Sequence, residues 1–204
     1  MITYPHKIDP GGQIVEFILS IDEAVSLFFQ SFIRNPVTDP LMLLFSLAAS
    51  GGIVWFVLIA VLLAIKKTRR AGLYVLVCLA LSWVLSELVI KPIVMRPRPF
   101  VAIDELNVLF DRFADADSFS FPSSHACTGF ACAYALTRKT KYGWIAYIGA
   151  FLVALSRVYI GVHYLSDVIC GAALGTISAA LICFAADRIT AAALRRREQR
   201  RKYR

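Results

Sequence analysis

The chain has 204 residues, 58% of them hydrophobic, with a mean hydropathy of +0.66 and a formal charge of +8. Soluble domains run about 45–50% apolar; here the excess is gathered in long runs, which excludes an ordinary soluble domain and points to a membrane protein. The last ten residues, RRREQRRKYR, hold seven cations and one acid and so supply +6 by themselves, which reads as a basic tail against anionic lipid rather than a nucleic-acid surface.

In chain order, residues 14–33 (IVEFILSIDEAVSLFFQSFI) come first. No basic region precedes them, so no secretory leader is expected. Asp22 and Glu23 would sit deep in the bilayer if this segment crossed it, and a helix lying in the interface avoids that cost. The segment is therefore expected to be an interfacial helix, with a sixth span as the alternative. NPVTDP (35–40) is a turn. Five spans follow, over about 40–65, 71–94, 124–137, 142–159 and 165–186; against the roughly 20 residues a bilayer requires, two are marginal and would rely on flanking Arg and Lys reaching outward. The expectation is an all-α, polytopic membrane bundle of five or six helices: residues 1–187 form one embedded domain and 188–204 a basic tail. The small residues of the fifth span, among them Gly171 and Gly175, suggest close helix packing, either internal or in a homodimer. Five cysteines, odd in number and without metal-type spacing, read as small buried hydrophobes.

KKTRR (66–70), RKTK (138–141) and the tail all fall on one side of such a bundle, which short Lys/Arg-rich loops mark as cytoplasmic. The opposite, extracytoplasmic side collects three clusters that a plain membrane helix would not carry. KPIVMRPRP (91–99) offers Lys91, Arg96 and Arg98, and Arg presents a planar fork suited to phosphate oxygens. FPSSH (121–125) opens a helix, where Ser123 or Ser124 is a plausible cap and backbone N–H groups favour an anion beside His125. SRVYIGVHYLSD (156–167) brings Arg157, His163 and Asp167, with Gly161 breaking the helix between the first two. If His163 and Asp167 are helical they share a face, and a carboxylate on one ring nitrogen leaves the other more basic. Each cluster alone admits a structural explanation. Together they describe an anion pocket with two histidines, suited to phosphoryl transfer. No carboxylate cluster is present to hold a metal.

The three clusters resemble the motifs of the type 2 phosphatidic acid phosphatase family, K-x₆-R-P, P-S-G-H and S-R-x₅-H-x₃-D. Here they read Lys91 to Arg98-Pro99, Pro122-Ser123-Ser124-His125, and Ser156-Arg157 to His163 to Asp167. The resemblance covers roughly residues 40–187. It implies a metal-independent hydrolase with no cofactor. His163 would be the nucleophile, Asp167 its orienting partner and His125 the general acid. Lys91, Arg98, Ser123, Ser124 and Arg157 would hold the phosphoryl oxygens. Ser124 departs from the family's glycine. Glu87, one turn before Lys91, is expected to pair with that lysine. Only Arg98 of the two R-P arginines has the motif spacing.

An outward-facing site at the membrane surface fits a phosphorylated membrane lipid. The compact chain is similar to the family's bacterial undecaprenyl-diphosphate phosphatases, which implies a multi-pass protein of the bacterial plasma membrane converting undecaprenyl diphosphate to undecaprenyl phosphate. Phosphatidylglycerophosphate, phosphatidate and lipid-linked sugar phosphates are the alternative substrates. A non-enzymatic anion carrier is the remote alternative, and the few polar residues in the last two spans argue against it. The acidic loop 104–117 is expected to shape the substrate entrance.

Overall fold

The computed structural model describes residues 10–113, 115–141 and 143–202. The first nine residues of the expected domain, Tyr142 at the head of the fourth expected span and residues 203–204 of the tail lie outside them. Among the described residues all regular structure is helical. Helix α1 (Pro10–Phe28) runs into a π turn, Phe29–Ile33. In the NPVTDP turn, the Asn35 carboxamide oxygen accepts the amides of Val37 and Thr38 at 2.9 and 3.1 Å and so starts α2 (Thr38–Ala49).

The first expected span is two helices. Gly51 and Gly52 take positive φ (61° and 74°) and separate α2 from α3 (Ile53–Ala64). Helix α4 (Arg69–Trp83) continues through a π turn, Val84–Ile90, into the short α5 (Lys91–Val94). Met95 ends α5 with a left-handed φ of 49°, its amide returning to the Lys91 carbonyl at 2.9 Å. Helix α6 (Pro99–Ala102), a long loop, α7 (Ser124–Lys139), α8 (Gly143–Tyr159) and α9 (Leu165–Lys202) follow. Helix α9 does not stop near residue 186. It continues through the arginine-rich segment, whose residues are good helix formers.

Among the described residues, three helical stretches are long and apolar enough to cross a membrane: Thr38–Ala64, Arg69–Ala102 and Leu165–Ala193. Helices α7 and α8 are shorter, at 16 and 17 residues. Helix α7 is the centre of the bundle, packed by α4, α8 and α9. Its buried residues are mostly small (Ala126, Cys127, Gly129, Ala131, Cys132, Ala133, Ala135), which lets three neighbours approach closely. Trp55, Ile59 and Leu62 of α3, Val75, Cys78 and Leu79 of α4, and Ala179 and Cys183 of α9 complete that core. Large apolar residues such as Val57, Val77, Ile148, Phe151, Ile177 and Leu181 point outward, where a bilayer's hydrocarbon would meet them. Four of the five cysteines are buried as expected. Cys170 is the exception and lies exposed on α9.

The glycines of α9 are used inside the chain. A Cβ on Gly171 would stand 2.5 Å from the Ser123 carbonyl oxygen, and one on Gly175 would stand 1.9 Å from that of Cys127. Helix α1 leans on α9 with Asp22 and Ser26 buried and Ile14, Phe17, Ile18 and Ile21 exposed. Asp22 is thus turned inward and paired, which removes the cost that favoured an interfacial helix on sequence grounds.

Candidate active site

All three clusters meet at one end of the bundle. A cavity of about 630 Å³ is lined there by Lys91, Arg98, Ser124, His125, Arg157 and His163. Its wall continues between α3 and α4 along Trp55, Phe56, Leu76, Leu79, Ala80 and Trp83. The cavity is therefore cationic at one end and apolar along its length.

Lys91 is buried and its ammonium contacts both Glu87 oxygens, at 3.0 and 2.8 Å. Arg98 sits in extended backbone between Pro97 and Pro99, as a residue before proline prefers. Its Nε donates to Ser118 at 2.8 Å and its Nη1 to the Val162 carbonyl at 2.9 Å, tying the first motif to the turn of the third. Arg157, in the last turn of α8, donates to the Ser46 hydroxyl at 2.5 Å and lies 5.3 Å from the Phe113 ring centre. Its Nε is buried without a hydrogen-bond partner among the described residues. Among the described residues neither Arg98 nor Arg157 makes an ion pair.

Gly161 has φ 86°, and the turn it allows brings the amides of Val162 and His163 back to the Arg157 carbonyl, at 3.2 and 3.3 Å. Arg157 and His163 are thereby set against one cavity wall. Burial, followed by the charges of Arg98, Arg157 and Lys91, holds the His163 imidazole well below its ordinary range and keeps the ring neutral.

Three expectations are corrected. His163 is not on the helix with Asp167. It lies on the turn ahead of α9, its Nδ1 is 3.5 Å from Asp167 Oδ2, and that nitrogen has no hydrogen-bond partner among the described residues. The pair is a close approach, with room to tighten when substrate binds. Ser123 occupies the cap position of α7, but its hydroxyl makes no cap bond and is buried without a partner among the described residues, while its amide donates to the Asp167 carbonyl at 3.1 Å. It ties α7 to α9 from behind the cavity wall. Ser124 lines the cavity, but its hydroxyl is turned to Glu87, which thus receives both Lys91 and Ser124. The amides of the first turn of α7 remain as anion donors.

Two participants were missed. Arg96 does not line the cavity; its guanidinium joins Asp167 at 2.6 Å to Asp22 at 2.8 Å. The signals were a second R-P arginine and a carboxylate in an apolar segment, which only a long-range contact connects.

Residues 71–190, more than half of the chain, match the PAP2 superfamily. The chain belongs to that superfamily. An undecaprenyl-diphosphatase of Sulfolobus acidocaldarius is 36% identical over 125 residues, 60% of this chain and 59% of that relative. A lipid A 4'-phosphatase of Bacteroides thetaiotaomicron is 27% identical over 190 residues, 87% of this chain and 82% of the other. Among solved structures, a PAP2-type phosphatidylglycerolphosphate phosphatase from Bacillus subtilis superposes with a TM-score of 0.66 at 29% identity, over 85% of this chain and 88% of that one. The superfamily's helical membrane bundle is thus the fold of this chain, and Lys91, Arg98, His125, Arg157, His163 and Asp167 all fall within the matched segment.

Proposed function

We propose that this PAP2 protein is a lipid phosphatase working through a phosphohistidine at His163, with undecaprenyl diphosphate as the first substrate to test. The observation that carries the reading is the cavity itself, where cations and two histidines at one end meet an apolar groove between α3 and α4. Phosphate would sit at the first and the lipid tail along the second. The names of similar proteins, which include undecaprenyl-diphosphatases as well as lipid A and phosphatidylglycerophosphate phosphatases, support a phosphorylated lipid.

His163 Nδ1 faces Asp167, so Nε2 attacks phosphorus. The P–N bond forms as the bond to the leaving oxygen breaks, and His125 gives that oxygen its proton. Water then attacks the phosphohistidine, His125 takes the water's proton, and the P–N bond breaks to release inorganic phosphate. Lys91, Arg98, Arg157 and the first-turn amides of α7 balance charge on the equatorial oxygens. The basic loops at 66–70 and 138–141 lie at the end of the bundle away from this site, which supports a site on the outer face of the cell membrane and a cytoplasmic tail.

The test is phosphate release by purified protein in detergent with excess chelator. Undecaprenyl diphosphate, phosphatidylglycerophosphate and phosphatidate are offered side by side, with His163→Ala as the control. Release by the wild type alone, fastest from undecaprenyl diphosphate, is expected. Release from none of them, or equal release by His163→Ala, would overturn the proposal.

A further inference from the structure

We infer that Asp22 of α1 and Arg96 are positioning residues for the reaction, holding Asp167, and through it His163, from behind the cavity. This rests on the phosphohistidine reading and adds to it a residue outside the segment that matches the superfamily.

The geometry is continuous. Asp167 is fully buried and divides its two oxygens. Oδ2 accepts the Tyr164 amide at 3.0 Å and stands 3.5 Å from His163 Nδ1. Oδ1 receives Arg96 Nη1 at 2.6 Å. The other arm of the same guanidinium, Nη2, donates to Asp22 Oδ2 at 2.8 Å. Asp22 Oδ1 accepts the Ser166 amide at 2.8 Å, and its Oδ2 accepts the Ser166 hydroxyl, so α1 caps the helix that carries Asp167. Arg96 is itself fixed: its carbonyl accepts the Ser120 amide at 2.8 Å, and its guanidinium lies 3.7 Å from the Tyr164 ring centre.

Two effects follow. The fork of Arg96 sets the rotation of the Asp167 carboxylate, and hence which oxygen faces His163. One guanidinium shared by two carboxylates also leaves the cluster with a net charge of −1. With Asp22 neutral, Arg96 would belong to Asp167 alone and cancel its charge. Asp22 therefore preserves the negative charge felt by an imidazole that otherwise faces Arg98, Arg157 and Lys91.

Asp22→Asn separates charge from capping, because Asn still accepts the Ser166 amide. Arg96→Lys keeps a charge but cannot bridge two carboxylates. Ser166→Ala removes the hydroxyl that donates to Asp22 and accepts Arg96 Nη1 at 2.8 Å, but leaves both carboxylates and the guanidinium charged and in place. Each variant is measured for kcat and KM on the best lipid, for its unfolding midpoint in detergent, and for the titration of His163 by nitrogen-15 histidine NMR, assigned with His163→Ala. Asp22→Asn and Arg96→Lys should lower kcat by about 10- to 100-fold, as loss of a carboxylate behind a working histidine does. KM should hold within about twofold, and the His163 titration should move to lower pH. Ser166→Ala, which removes no charge, should leave the His163 titration in place and lower kcat by less than either charge variant. Wild-type kcat with an unmoved titration in Asp22→Asn, or losses that track the unfolding midpoint alone, would overturn the inference. A wild type that releases no phosphate, with the titration still displaced in Asp22→Asn, would sink the phosphatase reading and leave the positioning intact.

Discussion

The crossing of α7 and α9 carries a sharp prediction. At Gly175 a Cβ would lie 1.9 Å from the Cys127 carbonyl oxygen and 2.7 Å from its carbonyl carbon. Backbone cannot yield as a flexible side-chain tip can, so Gly175→Ala must part the two helices by roughly 1 Å at this point. Alanine gains about 1 kcal/mol over glycine in a helix. Overpacking costs about 1–3 kcal/mol, so the clash decides the sign. The opening lies one turn below Gly171, which meets Ser123; His125 on α7 lies between these two contacts, and Asp167 on α9 lies one turn above Gly171. A shift of about 1 Å between such groups costs on the order of 100-fold in rate. Gly149→Ala on α8 is the control, because its Cβ meets nothing within 4 Å. Unfolding midpoint and phosphate release, measured on the same preparations, should both fall for Gly175→Ala and hold or rise for Gly149→Ala. A Gly175→Ala protein as stable and as active as the control would refute the packing argument.

Glu87→Gln removes the carboxylate that engages Lys91 and Ser124, and should tighten inhibition by orthovanadate several-fold while changing turnover; unchanged inhibition and turnover would mean that Glu87 is inert. Gly161→Ala forces a Cβ onto φ 86° and to 3.1 Å from the Arg34 guanidinium, so it should cost about 1–2 kcal/mol and lower turnover, read by thermal unfolding and phosphate release. Because His163 is held below the ordinary imidazole value of about 6.5, the neutral nucleophile persists as pH falls through that value, and the acid limb of kcat/KM should lie beneath it. Arg157→Gln should abolish turnover yet hold or raise the unfolding midpoint, since it exchanges a buried unpaired cation for a neutral amide.

What could be read from the sequence was what short spacing encodes. Lys91 to Arg98 and Arg157 to His163 lie within single turns or helix ends, so their motifs named the pocket before any fold was known. The convergence of the motifs also followed from span order, because an up-and-down path returns each to the same face. Long-range choices were not legible. Asp22 and Ser166 are 144 positions apart, and nothing local to α1 announces that its carboxylate caps α9. Local pattern misled in two places: the spacing of four from His163 to Asp167 suggested a helix face, but Gly161 and the start of α9 at Leu165 put His163 on the turn. At the P-S-S-H motif, residue type pointed Ser124 at phosphate, whereas the nearest acceptor is the Glu87 carboxylate from α4's π turn.

Charge distinguishes the roles of the four buried or half-buried cations at this end better than motif spacing does. Arg96 is held by two carboxylates and Lys91 by one. Among the described residues Arg98 and Arg157 make no ion pair and are held by neutral groups: Ser118, the Val162 carbonyl, Ser46 and an aromatic ring. A guanidinium taken out of water without a counter-ion costs several kcal/mol, and a fold keeps such a cost where function returns it. A dianionic phosphoryl group in the cavity supplies the missing charge and meets it most fully in the transition state, when charge spreads over three equatorial oxygens. On the proposed reading, the arginine that is already neutralised stands behind the wall and orients, while those without an ion pair among the described residues line the cavity and bind.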